Sequence, residues 1–509
     1  MKRLFLFLLL PLAGLNAQGK KADLKSLDTY FEKARQDWGV PGLAIAIVKD
    51  DSVVFSKGFG TRTIGKQEPV NEHTLFAIAS LSKAFTVACL GMLVDEGKLN
   101  WDDPVTHYVP YFQLYDPWVT REMKVRDLLC HRSGSKTFGG DLIWYGTNYS
   151  RKEVVERVRY LKPTYSFRSA YGYQNIMFVA AGEMFPSITG KTWDDVVKER
   201  IFDPLGMTST NTSVRLLEGH PNVATPHTEH KGTLITIPYR NVDNIGGDAA
   251  INSCVHDMAL WIKAWLKPDS LFTLVKPSTR HDIWSPHQFL PITPAAMKRY
   301  PSTHFRATAL GWFTWDYKGR KILDHGGGMD GMISKICLVP EERLGMILLT
   351  NSISGLSTTL MYRILDAYLG GEARDWSREN LELKRRSEEN EKAERKKLEA
   401  SRAKNTRPSL PIDKYVGLYG GPMYGNVKVE KEGERLVARF LPTASFVGDL
   451  THWHYDTWEI ELRDPTLPTG FVNFRLNAAG EVEEMVVDIP NPDFDFTELE
   501  LKRLPDQTK

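Results

Sequence analysis

Ser80 and Lys83 open the stretch FAIASLSKAFTVACLGMLVDEGKLNWDDPV, three residues apart at the mouth of a run that is apolar on every side. At that spacing two side chains share one face of a helical turn. Leu81 to Val94, apolar all round and followed by Gly97 as a stop, predicts a helix in the interior of a large domain. A lysine buried there without a purpose would be costly. Losing its hydration lowers its pKa, so a neutral amine becomes available to take the serine proton. The helix start, with its unpaired N–H groups, favours a developing anion. The pair reads as a nucleophile and its base.

Spacing alone is a weak signal. Ser-x-x-Lys occurs at Ser80/Lys83, Ser133/Lys136 and Ser401/Lys404, and roughly two matches would arise by chance from composition. Context separates them, because Ser133 lies in the loop HRSGSKTFGG and Ser401 in a highly charged run. Other candidates are weaker. His452, His454 and Asp456 alternate onto one strand face but lack a further nearby ligand, and His227 and His230 do not make the His-Glu-x-x-His pattern. There is no Gly-x-Ser-x-Gly elbow, which removes the α/β-hydrolases. Neither metal nor cofactor is implied.

The elements that must hold the pair follow from hydrophobic periodicity. GLAIAIVKDDSVVFSKGFG reads as a hairpin turning at Asp50–Ser52, and KICLVPEERLGMILLTN as a second strand pair. Strands at both ends of a helical middle predict one sheet built from the two ends of the domain, an α+β layout. Between Arg374 and Lys404 more than half of the residues are charged, with signs mixed, which predicts a solvated helix running into the linker NTRPSLP. Beyond Pro411 the runs NVKVEKEGERLVARF, DTWEIELRD, GFVNFRLN and EVEEMVVDI predict a small antiparallel β-barrel.

The whole chain has 509 residues, 42% hydrophobic and 25% charged, with a net charge of +2. That length favours two domains, and the charge gives no reason to expect nucleic acid as a partner. MKRLFLFLLLPLAGLNAQ reads as a signal peptide cleaved after Ala17, and the apolar run is too short for a stable membrane anchor. A periplasmic or secreted protein is therefore expected. The four cysteines are far apart and read as buried thiols.

Taken together, WGVPGLAIAIVKDDSVVFSKGFG, TLFAIASLSKAFT, GKLNWDDPVTHYVP, VRDLLCHRSG, IFDPLGMTST and DHGGGMDGMIS resemble, in family order, the serine hydrolases of the class C β-lactamase and penicillin-binding protein superfamily. The resemblance implies a β-lactamase-like antiparallel sheet flanked by helices, with an all-helical subdomain. The C-terminal stretches YVGLYGG, HWHYDTW and PDFDFTELELKRL resemble the lipocalin-like barrel of some members. The expected organisation is a signal peptide at 1–17, a hydrolase domain at 22–372, a charged helical linker at 373–408 and a barrel at 409–506. The barrel is expected to pack on the hydrolase domain and narrow its cleft.

By this resemblance Ser80 is acylated, Lys83 is its general base, and Tyr173-Gln174-Asn175 is the second motif. Tyr173 would relay a proton to the leaving group, and Asn175 would hydrogen-bond the substrate amide. The residues alone equally allow a tyrosine and an asparagine capping a helix that begins near Ile176. The third motif reads His325-Gly326-Gly327 where many β-lactamases carry Lys-Thr-Gly. Gly327 would let a substrate backbone lie against the strand, and Gly328 would join Ser80 in an oxyanion hole. His325, only partly charged near neutral pH, should attract a substrate carboxylate less than lysine does. That form is similar to D-aminopeptidases and esterases. The expected activity is acyl-enzyme hydrolysis of D-residue-containing peptides, amides or small esters, with peptidoglycan-derived substrates among the candidates. The alternatives are a β-lactamase or D,D-carboxypeptidase, and a non-catalytic penicillin- or muropeptide-binding protein. The oligomeric state stays open.

Overall fold

The computed structural model describes residues 22–268, 274–371 and 374–505. The expected signal peptide lies outside the described residues. Strand Gly42–Lys49 is buried along seven of its eight residues, and its neighbours explain why. Leu43, Ile45 and Ile47 face one apolar cluster, with Phe31 and Ile364, while Ala44, Ala46 and Val48 face another, with Phe85 and Ile262. Side chains alternate across a strand, so a continuous apolar run marks a sheet covered on both faces. Helices Leu24–Asp37 and Leu356–Leu369 cover one face, and Ser82–Asp95 and Val255–Leu266 the other.

The sheet has eight antiparallel strands and joins the two ends of the domain as expected. Gly42–Lys49 pairs with Leu344–Thr350, which pairs with Met332–Val339 and then with Arg320–Met329. The first hairpin closes at Asp50 and Asp51, both at positive φ (51° and 64°), a two-residue turn whose twist matches that of its strands. Short helices between Pro117 and Leu205 form the helical part of the domain.

Helix Trp376–Ser401 leaves the hydrolase domain with Trp376 anchored, its indole donating to Asp366 at 2.7 Å. Its 26 residues span about 39 Å, and its far end reaches the barrel, where Arg395 pairs with Glu459. The barrel is closed: eight strands run in order from Gly417–Gly421 to Leu501–Arg503, and the last pairs with the first. Tyr419, Phe440, Trp458, Ile460 and Phe474 belong to its apolar filling. Three strands were not among the expected runs, namely Gly417–Gly421, Val447–His454 and Leu501–Arg503. The first is rich in glycine and the last is three residues long, so neither carries a strong period-two signal.

Candidate active site

Ser80 lies in a 3₁₀ turn, Ala79–Leu81, that runs directly into helix Ser82–Asp95. Ala79 is held at φ 48°, a left-handed conformation that an alanine adopts only where its surroundings impose it. Those surroundings are tight. Ser334 Oγ donates to the Ile78 carbonyl at 2.7 Å, and Ile78 N–H donates to Ile251 O at 3.0 Å. Ser82 Oγ donates to Ala79 O at 2.7 Å. The turn is thus pinned to the sheet on one side and to its own helix on the other.

Lys83 Nζ lies 2.9 Å from Ser80 Oγ and 2.9 Å from Asn175 Oδ1, and it forms a buried ion pair with Asp248. Asn175 Nδ2 in turn donates to Asp141 at 2.5 Å, so both ends of the Asn175 amide are engaged within the protein. Asp141 and Asp248 were absent from the sequence reading. No spacing relates them to Ser80. The available signal was the lysine itself, because a fully buried ammonium requires a counter-charge, and each acid lies next to apolar residues in its own stretch, GGDLIW and GGDAAI.

Asp248 corrects one expectation outright. Burial does work to lower the Lys83 ammonium, but the Asp248 carboxylate and the Tyr173 hydroxyl outweigh it and hold the amine above its ordinary value. Lys83 is therefore an ammonium at rest, not a neutral amine. Burial pushes the Asp248 carboxyl up against the pull of Lys83, and pushes Asp141 up further.

Tyr173 and Asn175 both face the cavity, while Gln174 turns away and donates to Lys136 O at 2.5 Å, as alternation in an extended segment dictates. Helix Ile176–Gly182 follows, so Asn175 is at once a helix N-cap position and a partner of Lys83. The Tyr173 ring is stacked on His131 (centroids 4.2 Å apart) and has Lys83 Nζ 4.9 Å from its centre. Burial raises its phenol, opposed by Lys83 and by a hydrogen bond with Ser80. His131 is itself held at φ 59°, and its Nδ1 accepts from Gln174 N–H at 3.0 Å. The HRSG loop thereby sets the Tyr173 segment.

His325 is 2% exposed, and its Nδ1 lies 2.6 Å from Gly326 O. A carbonyl only accepts, so Nδ1 carries the proton and Nε2 the lone pair. Burial, reinforced by Lys83, pushes the imidazole down to about 3, so it is neutral rather than partly charged near pH 7. Gly328 lines the cavity with Ser80, His325 and Gly326. Gly327 does not. A Cβ there would overlap Ile78 O and Ser334 Oγ, so this glycine lets the strand approach the turn that carries Ser80.

Around these groups is a cavity of about 920 Å³ whose outer wall comes from the barrel, through Thr466–Pro468 and Asn491–Phe494. Phe494 packs on Tyr145 (centroids 4.2 Å), and Gly140 N–H donates to Glu498 at 2.8 Å. Lys136 pairs with Asp495 and, at 3.1 Å, with Glu498. The lysine of the second Ser-x-x-Lys match is thus a domain-interface residue. In the barrel, Asp456 accepts from Ser409 and Tyr415, and His452 Nε2 bonds Tyr455 O at 2.9 Å. His227 is held between Ile64 N–H and Asn351 O, at 3.0 and 2.8 Å.

A three-layered α+β domain, with helices on both faces of its sheet and a serine, lysine and tyrosine gathered at one end of a buried helix, defines a serine hydrolase of the penicillin-recognising type of fold. The chain belongs to the Beta-lactamase family, whose model matches residues 27–367; residues 401–503 match a domain of unknown function, DUF3471. The unguisins hydrolase ungD' of Aspergillus campestris is 32% identical over 430 residues, covering 78% of this chain and 76% of that protein. Protein flp of Staphylococcus aureus is 25% identical over 330 residues, 64% of this chain and 63% of its own. Among solved structures, the octameric penicillin-binding protein homologue from Pyrococcus abyssi is similar over 94% of this chain and 100% of its own, with a TM-score of 0.62 at 19% identity. A D-stereospecific amidohydrolase from Streptomyces sp. is similar over 69% of this chain and 100% of its own, with a TM-score of 0.53 at 21% identity.

Proposed function

We propose that the protein is an exported serine hydrolase that forms an acyl-enzyme on Ser80 and passes the acyl group to water. The observation that carries this reading is the hydrogen-bonded set of Ser80, Lys83 and Asn175 on the wall of a large cavity. A binding protein has no need of a nucleophile whose oxygen is held 2.9 Å from a buried lysine. Tyr173, which lines the same cavity as Ser80 and whose ring centre lies 4.9 Å from Lys83 Nζ, is positioned to hand a proton to the leaving group. Export rests on the N-terminal MKRLFLFLLLPLAGLNAQ.

The proposed substrates are D-residue-containing peptides, related amides and small esters. A neutral His325 supports them over penicillins and D-Ala-D-Ala ends, which present a carboxylate. Among the described residues lining the cavity, five are acids (Asp141, Glu229, Asp248, Asp330 and Asp493), and the cation Lys384 is paired with Glu388. Such a lining offers little to attract an anion.

Intact-mass measurement after exposure to acyl esters, D-aminoacyl amides and penicillins tests the reading. An acyl adduct is expected on the wild-type protein and none on Ser80→Ala, since losing the nucleophile of a serine hydrolase costs about a millionfold in rate. The added mass identifies the donor. An adduct that survives Ser80→Ala overturns the assignment, and one formed preferentially from penicillins supports a β-lactamase or D,D-carboxypeptidase instead.

A further inference from the structure

Asp248 has no place in the nucleophile–base pair as the sequence presents it, yet it is the closest charged partner of that pair. Its side chain and that of Lys83 are both excluded from water, at 1% and 0% exposure. A lysine ammonium has three N–H donors and no lone pair. Here all three have acceptors: Ser80 Oγ and Asn175 Oδ1, each at 2.9 Å, and the Asp248 carboxylate. In that state Lys83 donates to Ser80 and cannot take its proton. It must first give one up. Of its three partners, an amide carbonyl is too weak a base, and the serine is the group to be deprotonated. The carboxylate remains.

We propose that Asp248 is a positioning residue that holds a proton for Lys83 during acylation; this rests on the acyl-enzyme reading above. Lys83 passes one ammonium proton to the Asp248 carboxylate and becomes a neutral amine. That amine takes the proton of Ser80 as Oγ bonds to the substrate carbonyl carbon, whose π electrons move onto oxygen. When the bond to the leaving group breaks, Lys83 returns its new proton to the departing nitrogen or oxygen through Tyr173. Asp248 then gives its proton back to Lys83, and the ion pair is restored. One proton moves from Ser80 to the leaving group, and the protein ends as it began. In a dry site the neutral amine–acid form competes with the ion pair far better than in water, because separated charges lose their hydration there.

The other titratable groups facing the pair are Asp141, Tyr173, His131 and His325. Burial drives each toward its neutral form, raising Asp141 and Tyr173 and lowering the two imidazoles. None of them supplies the proton acceptor that Lys83 lacks. The Asp248 carboxyl is pushed up to about 6 by burial. Below that pH the pair carries a second proton and the relay has nowhere to put the one from Lys83.

The test is the pH profile of acylation by a small neutral ester, followed by intact mass, in the wild type, Asp248→Asn and Asp248→Glu. The wild-type rate is expected to fall with an acid limb near pH 6. Asp248→Asn should acylate at least tenfold more slowly, with its limb moved upward by a unit or more, because Lys83 alone then sets it. Asp248→Glu keeps a carboxyl and should recover part of the rate with a limb near that of the wild type. Thermal melts identify a variant that fails to fold, in which case the wild-type and Asp248→Glu profiles decide. A wild-type profile without an acid limb overturns the proposal. So does an Asp248→Asn enzyme that acylates normally, or one that is slow with its limb unmoved, which is the signature of a carboxylate that only orients Lys83. A wild type that gives no Ser80 adduct with any donor overturns the acyl-enzyme reading itself, and the relay with it.

Discussion

Arg240 of the hydrolase domain lies 2.7 Å from Asp464 of the barrel and 2.7 Å from Asp330, which occupies the turn directly after the strand bearing His325. The same Asp330 accepts from the Tyr145 hydroxyl at 2.8 Å, and Tyr145 packs on Phe494 of the barrel. One guanidinium therefore fastens the barrel to the end of the strand that lines the site. The barrel is a wall of the cavity, and it is held there by charge as well as by apolar packing.

Removing Arg240 leaves two largely buried carboxylates facing each other, since Asp330 and Asp464 are 14% and 6% exposed. Breaking such a pair from one side costs roughly 3 kcal/mol or more. Arg240→Ala should lower the unfolding midpoint in urea by a corresponding amount. Turnover of a bulky peptide substrate should fall more than that of a small ester, because the loosened wall touches only the larger one. Equal losses on both substrates would place the effect at the Ser80 turn instead.

The two glycines that follow Gly326 should respond in opposite ways to one added methyl group. At Gly327 a Cβ overlaps the Ile78 carbonyl and Ser334 Oγ, and strand and turn must move apart. At Gly328 the nearest neighbour of a Cβ is Ile333 Cδ1 at 3.6 Å, an ordinary contact. Gly327→Ala should destabilise the fold by about 1–3 kcal/mol, the range for an overpacked core, and should displace Ser80. Gly328→Ala should leave the melting temperature nearly unchanged while crowding the cavity, and its effect should appear in kcat/KM alone. Melts and kinetics on the two variants give the comparison.

How far the sequence carried the site depended on the distance over which each relationship acts. Ser80 and Lys83 are neighbours on one helical turn, and Tyr173 and Asn175 alternate along one extended segment, so local periodicity puts each pair on a common face. The middle of the sheet was legible for a similar reason, since strands Gly42–Lys49 and Leu344–Thr350 are almost unbroken apolar runs, whereas Gln288–Leu290 and Arg320–Met329 are not. Asp248 reaches Lys83 only after the 164 intervening positions have folded, and nothing in its spacing announces that. The protonation state of Lys83 was misjudged for the same cause, because burial was visible in the apolar run and the counter-ion was not. Lys136 was visible only as the end of a Ser-x-x-Lys match in a loop, and Arg240 and Asp464 carry no local signal; only the docked barrel makes them ion-pair partners.

His325 offers the clearest separation between substrate classes. Its imidazole, pushed down to about 3, stays neutral across the ordinary working range, so wild-type selectivity between a carboxylate-bearing ester and its neutral analogue should be flat from above the Asp248 limb near pH 6 up to about pH 8. A lysine at this position starts from an ordinary pKa about four units higher, so it keeps far more of its charge under the same burial. A hydrogen bond to a charged group contributes about 1.5–3 kcal/mol, which is roughly 10- to 100-fold in rate. His325→Lys should therefore raise kcat/KM for penicillins or D-Ala-D-Ala ends by that factor relative to uncharged esters, even if the absolute rates of both fall. The ratio is the quantity to measure, because a general loss of activity cancels from it. A wild-type enzyme that already prefers the carboxylate, with a ratio indifferent to the substitution, would mean that another cation holds it. The case for uncharged substrates would then lose its chief support.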